Sequence, residues 1–281
     1  METTGLRDNS ENGFSFVELL VSVAIMTVIL GAVVGVLQRG QMVFNNERNV
    51  LDSVQNMRAA FDMITREITM AGSGQIKGYG IVSGAGDSIT IRGNFQNVST
   101  IALSVSPTTG AIVVGSTGGF RAGQTVALTD PNNGTSLWAT VTSVDAATKT
   151  LVVSASTTPI TSGAMLSMLG PGAMVDVIQR VRYSIADNGT ITRTESPELD
   201  TNDALDSVLA ENVLDANGAP GLSFDFYDSN GASISAPLTS VAASNVSLVT
   251  VNLNVRTKER DVQTGSYRNF SLSTDVRPRN Q

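Results

Sequence analysis

Glu18 is the one ionisable side chain at the head of 19 uncharged, mostly apolar residues, Leu19 to Leu37. A carboxylate in a membrane-length run costs on the order of 3 kcal/mol to insert, so it is kept where it has a partner or a task. The chemistry it asks for is a cation. If the peptide bond after Gly13 is cut, Phe14 gains a free amine about one helical turn from Glu18. In an assembly, the carboxylate could equally pair with the amine of a neighbouring chain. As a helix, the run is roughly 28 Å long, close to the ~30 Å hydrocarbon core of a bilayer. The sequence therefore predicts a membrane-spanning helix over 14–37.

Reactive groups are otherwise scarce. Histidine and cysteine are absent, which excludes Ser-His-Asp and Cys-His nucleophiles, His or Cys metal sites and disulfide staples. Neither a GxxxxGK[ST] phosphate loop nor a GxSxG elbow occurs. Asp225 with Asp228, or Asp200 with Asp203 and Asp206, could act on glycosides or hold calcium, but they match no defined spacing and read more simply as solvated loop acids. No catalytic residue, metal ligand or cofactor is expected, and the chain reads as a non-enzyme. Trp138, the sole tryptophan, lies in an apolar strand and is expected in a core.

The formal charge of −7 disfavours general nucleic-acid binding. It is unevenly spread: from Val251 onward Arg256, Lys258, Arg260, Arg268, Arg277 and Arg279 outnumber Glu259, Asp261 and Asp275. Such a patch could meet phosphate, lipid headgroups or an acidic neighbour, although a solvated strand face is the plainer reading.

The run Gly13-Phe14-Ser15-Phe16-Val17-Glu18-Leu19-Leu20-Val21 resembles the processing and methylation signal of type IV prepilins and type II secretion pseudopilins. It has the glycine before the cut, the aromatic after it, the glutamate five residues into the mature chain and the apolar helix behind. The resemblance implies that 1–13 is a leader removed by a prepilin peptidase, that Phe14 is N-methylated, and that Glu18 docks the subunit among other pilin subunits. The leader carries Glu2, Asp8 and Glu11 against Arg7, and Arg39 and Arg48 follow the span, so the positive-inside bias is absent or reversed. A cytoplasmic N-terminus in a bacterial inner membrane, with the globular part periplasmic and later on the pilus, follows from the resemblance alone.

Several elements must position this site. Over 38–72 the chain stays helix-compatible, and Val50, Val54, Met57, Phe61, Ile64 and Ile68 form one apolar seam at spacings of three and four. Asp52, Gln55, Arg58, Asp62, Arg66 and Glu67 supply the polar opposite face. Ala71-Gly72 is the expected stop. Gly31, Gly35 and Gly40 are weak points in the upper apolar half, or places where helices approach closely.

Residues 73–170 carry short β-branched runs split by turns, and Phe120, Val126, Leu128, Trp138, Val141, Val144, Leu151 and Val153 could fill a small barrel or sandwich. Residues 171–281 alternate over longer strands, with an Asn188-Gly189 hairpin, a connecting segment at 207–214 and an antiparallel sheet of four or five strands.

The expected class is α+β, a pilin-like fold: one long helix, transmembrane then amphipathic, packed on an antiparallel sheet, with an inserted small β-barrel or β-sandwich. The C-terminal order most resembles PilW-like minor pilins and the J-type pseudopilin of type II secretion. That implies a minor pilin. A secretion pseudopilin is the alternative, and a membrane-tethered periplasmic binding domain that never polymerises is a third.

Overall fold

A computed structural model describes residues 15–74, 78–154, 158–159, 165–197, 205–261 and 264–279. Helix α1 runs unbroken from Phe16 to Met70, 55 residues and roughly 82 Å long. Ser15 stays extended (φ −70°, ψ 140°) and starts the helix. No proline interrupts it. At the far end the chain turns away at once: the Gly72 amide donates to Arg92 O at 2.8 Å, and Gly72 takes φ +83°, a conformation that glycine adopts freely.

Fifteen strands follow among the described residues. The first two, β1 (Ile81–Gly84) and β2 (Ser88–Gly93), form a hairpin. Next come β3 (Ser99–Ser106), β4 (Ala111–Val114), β5 (Thr125–Asp130), β6 (Thr135–Asp145), β7 (Thr150–Val153) and the two-residue β8 (Thr158–Pro159). The long β9 (Met174–Ile185) leads through a tight turn into β10 (Ile191–Pro197), which pairs with β11 (Leu205–Ala210). Gly189 at φ +76° closes that turn, and Asn188 Oδ1 accepts from the Thr190 amide at 3.0 Å.

A second, four-stranded sheet has the order β13-β12-β14-β15, from β12 (Leu222–Tyr227), β13 (Ser233–Ile234), β14 (Leu248–Arg256) and β15 (Asn269–Val276). The short α2 (Ser240–Ser244) lies against β1.

Strand β9 serves two neighbourhoods. Its first half, from Met174 to Ile178, pairs with β3 on one side and β5 on the other. Because β3, β4, β7, β6 and β5 are paired in that order, the hydrogen-bonded path returns to β9 and closes. Its second half, from Gln179 to Ile185, lies between β2 and β10.

The apolar residues accordingly form two clusters. One joins Met57, Phe61, Ile64 and Ile68 of α1 to Ile89, Ile91, Tyr183, Phe224, Phe226, Val249 and Val251. The other fills the closed circuit with Phe120, Val126, Leu128, Val141, Leu151 and Val153, with Val144 partly buried against it.

Four features differ from the sequence expectation. Residues 81–93, grouped by sequence with the 73–170 section, lie in the helix-bearing core, where Ile89 and Ile91 stand opposite Tyr183 and Val181. The C-terminal strands divide between two sheets instead of forming one, and α1 touches β11 of the first and β14 and β15 of the second. The expected connector at 207–214 begins as strand, since Ser207 and Val208 pair with Arg193 and Thr192. Trp138 is absent from the buried cluster inside the circuit. It is half-buried on the outer side, with Arg92 stacked 4.3 Å from its ring centre and Tyr79 edge-on at 6.1 Å.

Asp130 pins one end of the circuit. Its carboxylate accepts from the Asn132 amide at 2.9 Å and the Gly170 amide at 3.1 Å. The Asn132 amide bond is the largest influence, and the net effect holds its pKa below the ordinary 3.8. The carboxylate's contribution is thus fully present above the unfolded value and lost as pH falls through the lower folded one. Hydrogen exchange at 132–134 and 170 should accelerate in Asp130→Asn at neutral pH. In the native chain the same acceleration should appear only on acidification below about 3.8. An unchanged pattern in the variant would show that the turn does not depend on the charge.

Candidate functional site

Gly13 and Phe14 lie outside the described residues. Glu18 occupies the first turn of α1, where its Oε2 accepts the Ser15 amide at 3.1 Å. That bond satisfies one of the orphan donors at the helix start. The other carboxylate oxygen has no bond among the described residues.

The apolar half of α1 carries almost no contact with the rest of the chain. From Phe16 to Phe44 its large apolar residues are exposed, Phe16 at 78% and Phe44 at 68%. Its polar side chains turn inward on the helix: Ser22 Oγ donates to Glu18 O and Thr27 Oγ1 to Val23 O, both at 2.7 Å. Those bonds let hydroxyls sit in lipid without an unmet partner. A Cβ at Gly31, Gly35 or Gly40 would meet nothing within 4 Å, so no packing inside the subunit requires these glycines. Among the described residues this is the one helix long and apolar enough to cross a membrane.

The upper half is held firmly. Val50, Met57, Phe61, Ile64 and Ile68 are buried, and Val54 is partly buried against the same cluster. Polar contacts flank the seam at both ends. At the lower end, the loop between β14 and β15 meets the helix: Arg268 bridges Glu47 (3.1 Å) and Asp261 (2.7 Å), Asn46 reaches Asp261, and Asn49 reaches Glu259.

At the upper end is a network that the sequence places wrongly. Glu67, expected on the solvent face, is enclosed between helix and sheet. Arg193 Nη2 lies 3.0 Å and Nε 3.1 Å from its two oxygens, and Tyr183 Oη donates to it at 2.6 Å. Arg193 also donates to Glu195 at 2.7 Å. Burial, then the Glu67 charge, pushes the Tyr183 phenol far above its ordinary value. Burial works against the Arg193 charge, but its hydrogen bonds to Glu67 and Glu195 outweigh it and raise its pKa. The signal in the sequence was Glu67's position three residues after Ile64 and next to Ile68, at the margin of the seam.

Two of the other acids singled out in the sequence have structural partners. Asp225 accepts from Asn252 Nδ2 at 2.9 Å, and Asp228 accepts the Asn230 and Ala232 amides of its own turn. Asp200 and Asp203 lie outside the described residues, and no metal-sized cluster of acids is present among those described.

With this geometry in place, the comparisons fall on the amino end. A family model, the prokaryotic N-terminal methylation motif, matches residues 8–34. The match supports a type IV pilin-like family. It covers the segment around Gly13, Phe14 and Glu18 and most of the uncharged run that follows. Motif and helix together support a prepilin-like pilin or pseudopilin and suggest a membrane anchor. No curated protein and no solved structure matches the chain.

Proposed function

We propose that this chain is a PilW-like minor pilin, a structural and assembly subunit of a type IV pilus with no catalytic role. One observation carries the reading: the methylation motif at 8–34 takes in the start of a helix whose lower half is bare and whose upper half is keyed into the sheets. Prepilin peptidase cuts after Gly13, and the new Phe14 amine is methylated. The helix then leaves the inner membrane for a bundle of similar helices. There the free oxygen of Glu18 takes up an amine, its own or a neighbour's, and apolar packing replaces lipid. The globular part is periplasmic before assembly and lies on the pilus afterwards.

The closed circuit formed by β3 to β7 with β9 is the inserted small barrel. It lies beyond the far end of α1, because Gly93 and Asn94, which lead into it, meet Met70 and Ser73. At roughly 1.5 Å per residue from Phe44 to Met70, that end stands about 39 Å above the bare segment. This distance suits a module that contacts something other than the membrane.

Two measurements test the reading. Mass spectrometry of the membrane fraction should find methylated Phe14 as the mature N-terminus; a different terminus would remove the pilin reading. A deletion strain should lose pili and keep protein secretion. The reverse outcome would make the chain a type II secretion pseudopilin. In Glu18→Ala, processing should continue while incorporation into pili falls, and wild-type pilus numbers would overturn the docking role.

A further inference from the structure

We propose that the loop between β14 and β15, with the adjoining turns of α1, forms a basic collar that binds anionic phospholipid headgroups of the membrane the helix spans. The proposal rests on the membrane-anchored reading of α1. The exposed apolar surface from Phe16 to Phe44 measures roughly 43 Å, against about 40–45 Å for a whole bilayer with its headgroup layers. The next residues up, Asn46, Glu47 and Asn49, are the ones the loop holds. The loop therefore rests where the lipid headgroups end.

Its charges are unequally committed. Among the acids, Glu47 and Asp261 are both engaged by Arg268, and Glu259 accepts from Asn49. Lys258 and Arg260 are exposed and have no carboxylate partner among the described residues. Arg256 and Arg260 both lie over the Tyr267 ring, at 4.4 and 5.3 Å from its centre. A tyrosine framed by arginines is the kind of group found at membrane interfaces.

Arg39 extends the collar downward. It lies seven residues, or two turns, before Asn46 and so on the same helix face. From there its long side chain can reach up to the headgroups. Arg48, two residues above Asn46, stands at the height of the loop on the opposite face of the helix. Asp52, one turn above, and Glu211, which lines the same groove as Lys258, form no ion pair among the described residues, and Glu259 meets only the neutral Asn49 amide, against Arg39, Arg48, Arg256, Lys258 and Arg260. The cations at this level thus outnumber the acids left to balance them. Positive charge beyond the span, contrary to the usual bias, acquires a ligand.

The test uses the full-length chain in phosphatidylcholine bilayers, with spin-labelled phosphatidylglycerol or spin-labelled phosphatidylcholine as the probe. Phosphatidylglycerol should be selected at the protein surface, and the preference should weaken as salt is added. It should fall about fivefold for each of Lys258→Gln and Arg260→Gln. Equal association of the two lipids, or selectivity that survives both substitutions, would overturn the proposal. Because the chain has no cysteine, Val28→Cys carries a single depth label. A lipid-buried label there leaves the spanning reading standing whatever the lipid result. A water-exposed label would overturn that reading and this proposal with it.

Discussion

Replacing Arg193 with methionine should destabilise the globular part by about 3 kcal/mol, because it leaves the Glu67 carboxylate enclosed without its cation. Both side chains are about nine-tenths covered, 11% and 12% exposed, so water cannot take the lost partner's place cheaply. Removing both charges should behave differently. In Arg193→Met with Glu67→Gln, the amide still accepts from Tyr183, and the one charge that loses its cation, Glu195, is a quarter exposed and keeps Gln96 as a donor. Stability should then return to within about 1 kcal/mol of the native chain. Urea unfolding of the three proteins checks this. A double variant as weak as the single one would mean that the pair stabilises the fold by more than mutual neutralisation.

Ile64→Ala is the second large effect. Ile64 is fully buried, in the middle of the seam, between the helix and the β-strand core. Truncation removes the transfer energy of the missing methyl groups and leaves a void, together about 2–5 kcal/mol. The loss should appear as earlier urea unfolding and as faster hydrogen exchange in both α1 above Val50 and strands β2 and β9. Exchange confined to the helix would show that the two are not one cooperative unit. Met63, one residue away and partly exposed, is the control: Met63→Ala should cost far less.

The seam was legible because six apolar residues at three- and four-residue spacing permit one answer on a helix. Glu67 was not. A charge beside such a seam reads as solvated until its partner is known, and Arg193 lies 126 residues further on. Strands β1 and β2 were assigned to the wrong neighbourhood for a related reason. Ile89 and Ile91 alternate like any strand residues, and nothing local records that they face Tyr183 and Val181 instead of the circuit. Trp138 was placed inside because its strand is apolar, yet its neighbours Leu137 and Ala139 take the interior and the alternation turns the indole outward. At the amino end, Glu18 was legible as a charge needing a partner. That its Oε2 already accepts the Ser15 amide, leaving one oxygen, appears only with the helix start in place.

Strand β9 has a mechanical meaning. Among the described residues it is the one strand paired in both neighbourhoods, about 40 Å of backbone clamped by β3 and β5 along one half and by β2 and β10 along the other. A pull on the distal module directed along this strand loads its cross-strand hydrogen bonds side by side, in shear. They must yield together instead of unzipping one at a time. The two parts of the molecule are thus spliced like overlapping planks, a joint suited to tension applied at one end while the other stays anchored.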